Sequence, residues 1–534
     1  MLDIRVLNSY DFLIKKLNRF WPLILVTSLI CLLIGYFTML PDDLENLGES
    51  VVSSAVFGNN ILSAITTKNY WNLSNNYKPL MHLWYIGVLF QSFLLLPLAF
   101  SISNKVSRKV LKYSVMIMTF ISLILYLLPF FSAGDKFYFF QFRAYEILIG
   151  CYIAFFDSKE IRISEKLATI YLFVITLLIS LLLIVDISIS GTIKVLIVTV
   201  LVALALLIIA HSKETKNAVL SAISGVGKAS LSVYVVHQPI MAFTRYCFNA
   251  QLDGWIFGVD IILTAAISCL FYYLFEIKLT AYLNRHGEKK VFAISVGMCI
   301  LSIVLGGIIY LRAGVVRNIP ELDISVDNIH RGMHAEYVDI PYKWNREFST
   351  DKIHILVVGD SMGRDWCNIL NESNNASDYE ISYVLGSQFD ESCKQRVLDA
   401  DYIFYASIGD STENIPELLK HFTKQNNFYV VGIKNFGECN GQIYQHRFSD
   451  NYFKSAIWLG ETNLDSGITF EEQNRKQKEY WGTHYIEMIR PIQNDDGSIP
   501  VFTDTHKFIS SDTEHLTQNG CIFYSKILDL SFIK

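Results

Sequence analysis

Nine apolar runs, each near the length needed to cross a bilayer as a helix, occupy the chain up to about residue 312 and then stop. A spanning helix needs about 20 predominantly apolar residues, because in lipid every backbone polar group must be satisfied within the segment. The runs lie near 20–40, 83–100, 111–131, 139–156, 168–187, 193–211, 229–247, 255–276 and 291–311. The stretch near 51–66 is broken by Ser, Asn and Gly and reads as part of a loop. Beyond residue 312 the chain turns polar, with short β-rich runs alternating with helical ones. The expected fold class is therefore a polytopic α-helical membrane domain of about nine spans (1–312), a connector (313–350) and an α/β domain (351–534). With 52% hydrophobic and only 18% charged residues, a wholly soluble enzyme, a disordered chain and a small disulfide scaffold are excluded. The net charge of −5 offers no electrostatic footprint for a nucleic-acid partner.

Basic residues orient the helices. With the first span starting inside, stretches 1–19, 101–110, 157–167, 212–228 and 277–290 carry 17 Lys and Arg, and the alternate loops 41–82, 132–138, 188–192 and 248–254 carry 3. Lysine and arginine in short loops stay cytoplasmic, so the N-terminus is expected inside a bacterial cytoplasmic membrane and the α/β domain outside it. Residues 1–20 lack the apolar core and small-residue cleavage site of a signal peptide.

Ionisable groups within spans are costly and mark functional paths. Helix direction places His82 and Trp84 at the outer start of the second span, Arg143 and Glu146 in the outer third of the fourth, and Arg245 and Asp260 near the outer ends of the seventh and eighth. His237 falls near mid-depth, and Lys15, Lys16 and Arg19 stand at the inner mouth of the first span. Each has a bland alternative. The three basic residues serve equally well as inside anchors, Arg143 and Glu146 as a neutralised i,i+3 pair, His82 as a belt residue, and His237 as a partner for the carbonyl freed by Pro239. Their convergence on one side favours a substrate path.

The segments FLIKKLNRFWP (12–22), NYKPLMHLWYIGVLFQSFLLLPLAF (76–100), FQFRAYEILIG (140–150) and GKASLSVYVVHQPIMAFTR (227–245) resemble, in order, motifs of the membrane-bound acyltransferase family three. That resemblance implies O-acylation of a cell-surface polysaccharide, lipopolysaccharide or peptidoglycan, with acyl-coenzyme A (acetyl-CoA foremost) as cytoplasmic donor. It implies that Lys16 and Arg19 lie near the donor's phosphates. His82 matches the family's His before its Trp, and Arg143 and Glu146 match its Arg–Glu pair. The family opens with two further helices, the first carrying a catalytic His that no residue here matches. Either the start is misplaced or truncated, which is the favoured expectation, or acyl transfer here proceeds without that base.

In the polar part, KIHILVVGDSMGRDWCNIL (352–370) reads as a buried strand, a Gly-Asp-Ser turn and a helix, with Ser361 at the helix N-terminus where amides can hold an oxyanion. Near the C-terminus, SDTEHLTQNG (511–520) sets Asp512 three residues before His515. A nucleophilic Ser needs a base and the base an orienting carboxylate, and Ser361, His515 and Asp512 supply that set from opposite ends of one domain. The arrangement resembles the SGNH/GDSL hydrolase family, which implies a flavodoxin-like parallel sheet and ester chemistry. The family's further oxyanion donors are a Gly and an Asn. Asn435 is preferred over Asn440 because it lies nearer the end of its strand, and Gly386 and Gly409 stay equal candidates. Arg364, one turn after Ser361, meets a substrate anion or caps the surface.

Cys31, Cys151, Cys247, Cys269 and Cys299 fall in spans, and Cys367, Cys393, Cys439 and Cys521 in the outer domain, where disulfides are permitted. None has metal-ligand spacing, and no metal is expected. The expected partners are the bilayer and a cell-surface glycan acceptor. A transporter is disfavoured by the lack of an internal repeat. A membrane-anchored outer esterase, with an inactive acyltransferase part, is the alternative.

Overall fold

The computed structural model describes residues 9–67, 73–103, 108–155, 163–185, 189–212, 224–225, 227–248, 254–327, 337–423, 427–437, 440–457, 468–510 and 512–534. The chain divides into two compact units. The first comprises Met1–Ile34, Asn46–Phe243 and Leu252–Gly307, and the second Gly35–Glu45, Thr244–Gln251 and Ile308–Lys534. The boundary falls a few residues before the expected 312, and two short segments from the apolar half belong to the second unit.

The first unit is helical. Among the described residues six helical stretches are long and apolar enough to cross a membrane: Asp11–Thr38, Lys109–Leu127, Glu165–Ile184, Gly191–His211, Gly254–Leu283 and Glu288–Leu311. Their starts follow the sequence. Ser164 and Ser190 each accept a hydrogen bond from an amide three residues on, capping the helices that begin at Glu165 and Gly191. The other three expected spans are helices too, over Trp84–Ser103, Phe140–Ile153 and Ser230–Cys247. The second of these has only 14 residues, and the third carries His237, Gln238, Pro239 and Arg245 in its interior. Short length sets the second apart from the six and these polar residues the third, while the first is apolar.

The stretch 51–66, expected as part of a loop, is helical instead: the helix Pro41–Ala55 ends within it and a second helix, Asn59–Thr66, follows. The second is pinned by side-chain amides: Asn59 donates to the Leu80 carbonyl at 2.8 Å and Asn60 to that of Tyr138 at 3.2 Å. Gly306 lets two helices touch, since a Cβ there would stand 2.8 Å from the Gly48 carbonyl oxygen.

The second unit is built on a five-stranded, all-parallel sheet in the order β2-β1-β3-β4-β6, with β1 Ile353–Gly359, β2 Tyr379–Leu385, β3 Tyr402–Ala406, β4 Phe428–Val431 and β6 Tyr485–Ile486. A two-residue antiparallel pair, β5 Ala456–Ile457 with β7 Ile499–Pro500, lies apart. Strands of a parallel sheet are covered on both faces and read as unbroken apolar runs, as ILVV (355–358) does. Alternation then sorts the residues: Ile355 and Val357 join a core with Trp366, Phe404 and Tyr524, while Leu356 and Val358 join one with Ile403, Phe428 and Val430.

From β1 the chain crosses to β2 on one side and then returns past β1 to β3 on the other. That reversal is a topological switch point, where open α/β sheets leave a crevice at the carboxyl ends of their strands. Gly359 ends β1 there, and no larger residue fits, because a Cβ would sit 1.7 Å from the Ala406 carbonyl oxygen. Segment 35–45 is tied into this unit by Tyr246, whose hydroxyl donates to Asp43 at 2.6 Å and accepts from the Leu40 amide at 3.1 Å. Arg317 adds hydrogen bonds to the carbonyls of Tyr36 and Met39.

Candidate active site

The turn after β1 is organised by Asp360, the residue before Ser361. Its Oδ1 accepts the Met362 amide at 2.9 Å and so caps the helix Ser361–Asn371. Its Oδ2 accepts the Ser407 hydroxyl at 2.8 Å and the Ile408 amide at 2.9 Å, drawing the loop after β3 against the same turn. The Tyr383 hydroxyl on β2 donates to the Asp360 carbonyl at 2.7 Å. Ser361, half-buried, is thus the first residue of a helix whose start is held by three neighbouring strands' ends.

The segment 510–516 brings the second part. His515 Nδ1 lies 2.6 Å from Asp512 Oδ2, and Asp512 Oδ1 accepts the amides of Glu514 and His515 at 2.8 and 2.7 Å. Ser510 Oγ donates to the carbonyls of this loop, 2.7 Å from that of Asp512 and 2.6 Å from that of His515. Burial pushes the Asp512 carboxyl up, but the hydrogen bonds and charge of His515, with the loop amides, outweigh it and hold Asp512 at about 2. Burial likewise pushes His515 down, and the hydrogen bond and charge of Asp512, joined by Asp365, hold it above the ordinary histidine value. With Nδ1 committed to a carboxylate, Nε2 is the nitrogen left to exchange a proton.

Asn435 follows β4 and is buried. Its Oδ1 accepts the Gly437 amide at 2.7 Å, which turns the Nδ2 donors to the other side. The next residue, Phe436, donates its amide to the Thr513 carbonyl at 2.7 Å, stitching this loop to the one carrying Asp512 and His515. Ser361, Asn435, Asp512 and His515, spread over 155 positions, therefore lie on loops tied together at one edge of the sheet.

Sequence reading missed the layer beneath. Lys434 is 2% exposed and its Nζ lies 2.8 Å from Asp365 Oδ2, which also accepts the Leu516 amide at 2.9 Å. The only hint in the chain is a lysine directly behind an apolar strand, which is more often a surface residue. Arg364 neither faces solvent nor stands free: it is largely buried and pairs with Asp339 at 3.3 Å and Asp365 at 3.5 Å. Gly386 opens the turn after β2, and the Gly409 amide donates to Ser407 Oγ at 3.3 Å. The side chain of Asn440 lies outside the described residues.

In the first unit, Arg143 is buried with Nη1 2.6 Å from Glu146 Oε1 and Nε donating to the Phe137 carbonyl at 3.2 Å. Its guanidinium also lies over Trp84, Tyr126 and Phe137, 5.0 to 6.0 Å from the ring centroids. His82, 4% exposed, adjoins this cluster through Trp84 in the chain, and its ring lies 5.2 Å from those of Tyr234 and His237. The Tyr234 hydroxyl donates to the His82 carbonyl. Far from these in sequence, Lys16 lies over the rings of Phe12 and Phe93. Arg19 pairs with Glu276 at 3.7 Å while its side chain stays 57% exposed.

Among the described residues no group of three or more His, Cys, Asp or Glu side chains could hold a metal ion. Eight cysteines are free thiols, and Cys439 lies outside the described residues.

Comparison with known proteins supplies the remaining facts. A family described as an acyltransferase domain matches residues 4–277, just over half of the chain. The O-acetyltransferase OatA of Staphylococcus aureus (strain NCTC 8325 / PS 47) is 25% identical over 296 residues, covering 51% of this chain and 47% of OatA, and the protein of strain COL matches equally. An uncharacterized protein of Haemophilus influenzae Rd is 24% identical over 186 residues, covering 32% of this chain and 75% of that protein. The chain spans about half the length of the OatA proteins it matches. No solved structure matches it.

Proposed function

The chain belongs to the acyltransferase domain family, and from that premise we propose that it O-acylates, most simply O-acetylates, a bacterial cell-surface glycan. The donor in this reading is cytoplasmic acyl-CoA, with Lys16 and Arg19 at its phosphates and Arg143, Glu146 and His82 along the path of the acyl group. The N-terminus is inside the cytoplasmic membrane and the second unit outside, in keeping with the 17-to-3 division of basic residues between alternate loops.

The second unit acts as an SGNH-like acyl carrier. Ser361 attacks, through Oγ, the acyl carbonyl delivered by the membrane part; His515 Nε2 takes the hydroxyl proton and passes it to the departing atom of the acyl carrier as the bond from that atom to the carbonyl carbon breaks. The glycan hydroxyl then attacks the Ser361 ester, His515 takes its proton, and Ser361 regains its own. Asp512 orients His515, and Asn435 Nδ2 with the Ser361 amide holds the oxyanion. One observation carries this reading: the 2.6 Å Asp512–His515 contact, in a loop stitched to the Asn435 loop and to the helix that begins with Ser361.

Incubating membranes that contain the full chain with acetyl-labelled acetyl-CoA and cell-wall glycan tests it. Label should reach the glycan with wild type and fall to background with Ser361→Ala. Full glycan acetylation by the Ser361→Ala chain would count against the carrier role. The second reading, an outer esterase, draws on the same pair, since water can replace the sugar hydroxyl. It predicts release of acetate from acetylated glycan and no dependence on Lys16, Arg19 or His82.

A further inference from the structure

We propose that Lys434 and Asp365 are positioning residues, whose buried ion pair sets the mutual geometry of the three loops bearing Ser361, Asn435 and His515. The inference rests on the reading of those three residues as the reacting groups. The geometry has one hub. Asp365 Oδ2 receives Lys434 Nζ at 2.8 Å and the Leu516 amide at 2.9 Å. Each arm ends one residue or one turn from a reacting group. Lys434 directly precedes Asn435, Leu516 directly follows His515, and Asp365 lies four residues, one helical turn, after Ser361. Lys434 Nζ also reaches Met362 Sδ at 3.1 Å, beside Ser361 itself.

Stability alone does not account for such a pair. Both side chains are at most 2% exposed, and desolvating two charges commonly costs as much as their attraction returns, so an apolar pair would hold the fold as well. An apolar pair, however, has no acceptor for the Leu516 amide and no directional bond between the loops. A shift of about 1 Å among reacting groups is worth on the order of 100-fold in rate. Asp365 has a second effect through charge, as one of the groups facing His515. The others are Asp512 and Glu514 from its own loop, Arg364 from the helix Ser361–Asn371, and Asp42 from segment 35–45.

The test uses the detergent-solubilised full chain, 4-nitrophenyl acetate as substrate and a fluorophosphonate to label Ser361. Two double variants separate the roles. D365N/K434M removes both charges but keeps an acceptor for the Leu516 amide, and D365L/K434M removes the acceptor as well. The expected result is that D365L/K434M loses ~10- to 100-fold in kcat with KM within about threefold of wild type. D365N/K434M, which keeps an acceptor for the Leu516 amide, should lose ~3- to 10-fold in kcat, again with KM nearly unchanged. Wild-type kcat in D365L/K434M overturns the proposal. Should that variant fail to fold, wild-type kcat in D365N/K434M overturns it. Failure of wild type to label at Ser361 overturns the reading of the site itself, a result distinct from the other two.

Discussion

His515 and Asp512, three residues apart in one loop, meet Nδ1 to Oδ2 at 2.6 Å, and the carboxylate's other oxygen holds the loop's own amides. The carboxylate therefore orients the imidazole and braces the loop at once. Neither role depends on a distant part of the chain.

This pair makes ester turnover pH-dependent with a definite sign. In the proposed reaction turnover needs neutral His515, and Asp512 holds the imidazolium above the ordinary value of about 6.5. Activity should therefore rise with pH, with a midpoint above that of an unperturbed histidine. Asp512→Asn should lower the midpoint and cut kcat by about 100- to 10,000-fold. A pH–rate profile of 4-nitrophenyl acetate hydrolysis checks both, and an unchanged midpoint in Asp512→Asn would remove Asp512 from the site.

Asn435 should matter to the transition state and little to binding. With Oδ1 committed to the Gly437 amide, the Nδ2 donors are fixed in direction. Asn435→Ala should reduce kcat by about 100- to 1,000-fold, the usual loss for one oxyanion donor, with KM nearly unchanged. Steady-state kinetics that instead show a raised KM and normal kcat would assign it to substrate binding.

Arg143 should not be replaceable by lysine. Its guanidinium pairs with Glu146, donates to the Phe137 carbonyl and lies over three aromatic rings at once, tasks an ammonium cannot combine. Arg143→Lys should lower acetyl transfer from acetyl-CoA at least about tenfold, while hydrolysis of 4-nitrophenyl acetate by the second unit stays unchanged. Equal losses in both assays would point to general misfolding.

Glu380 on β2 should be a stability residue. Its buried carboxylate accepts the amides and hydroxyls of Ser349 and Thr350 at 2.7 to 3.0 Å. Burial pushes it up, but these bonds outweigh burial and hold it at about 2. A depressed carboxyl stabilises fully above its unfolded value near 4.5, and that stability is lost as pH falls through about 2. Glu380→Gln should cost about 2–3 kcal/mol at neutral pH, read as a lower melting temperature of the second unit, with the deficit shrinking in acid.

Much was legible in the chain. Apolar runs marked helices, ILVV marked a strand buried on both faces, and Gly-Asp-Ser marked the turn now seen to be capped by Asp360. His237 and Arg245 make Ser230–Cys247 too polar to count among the six spanning stretches, though the helix itself forms. The pairing of Lys434 with Asp365 carried no pattern, because two residues 69 positions apart meet only when the sheet brings their loops together.

Local and periodic features were determined by the sequence itself: helix length from unbroken apolar runs, strand burial from runs without alternation, the Asp512–His515 contact from a spacing of three. These depend on backbone geometry over a few residues, which the chain carries everywhere with it. Tertiary structure alone decided which polar residues would be buried and against what. Lys434 reads as a surface lysine until Asp365 stands 2.8 Å away, and Arg364 as a free cation until Asp339 and Asp365 surround it. Burial of a charge is a property of its three-dimensional neighbours, and a linear pattern does not contain them.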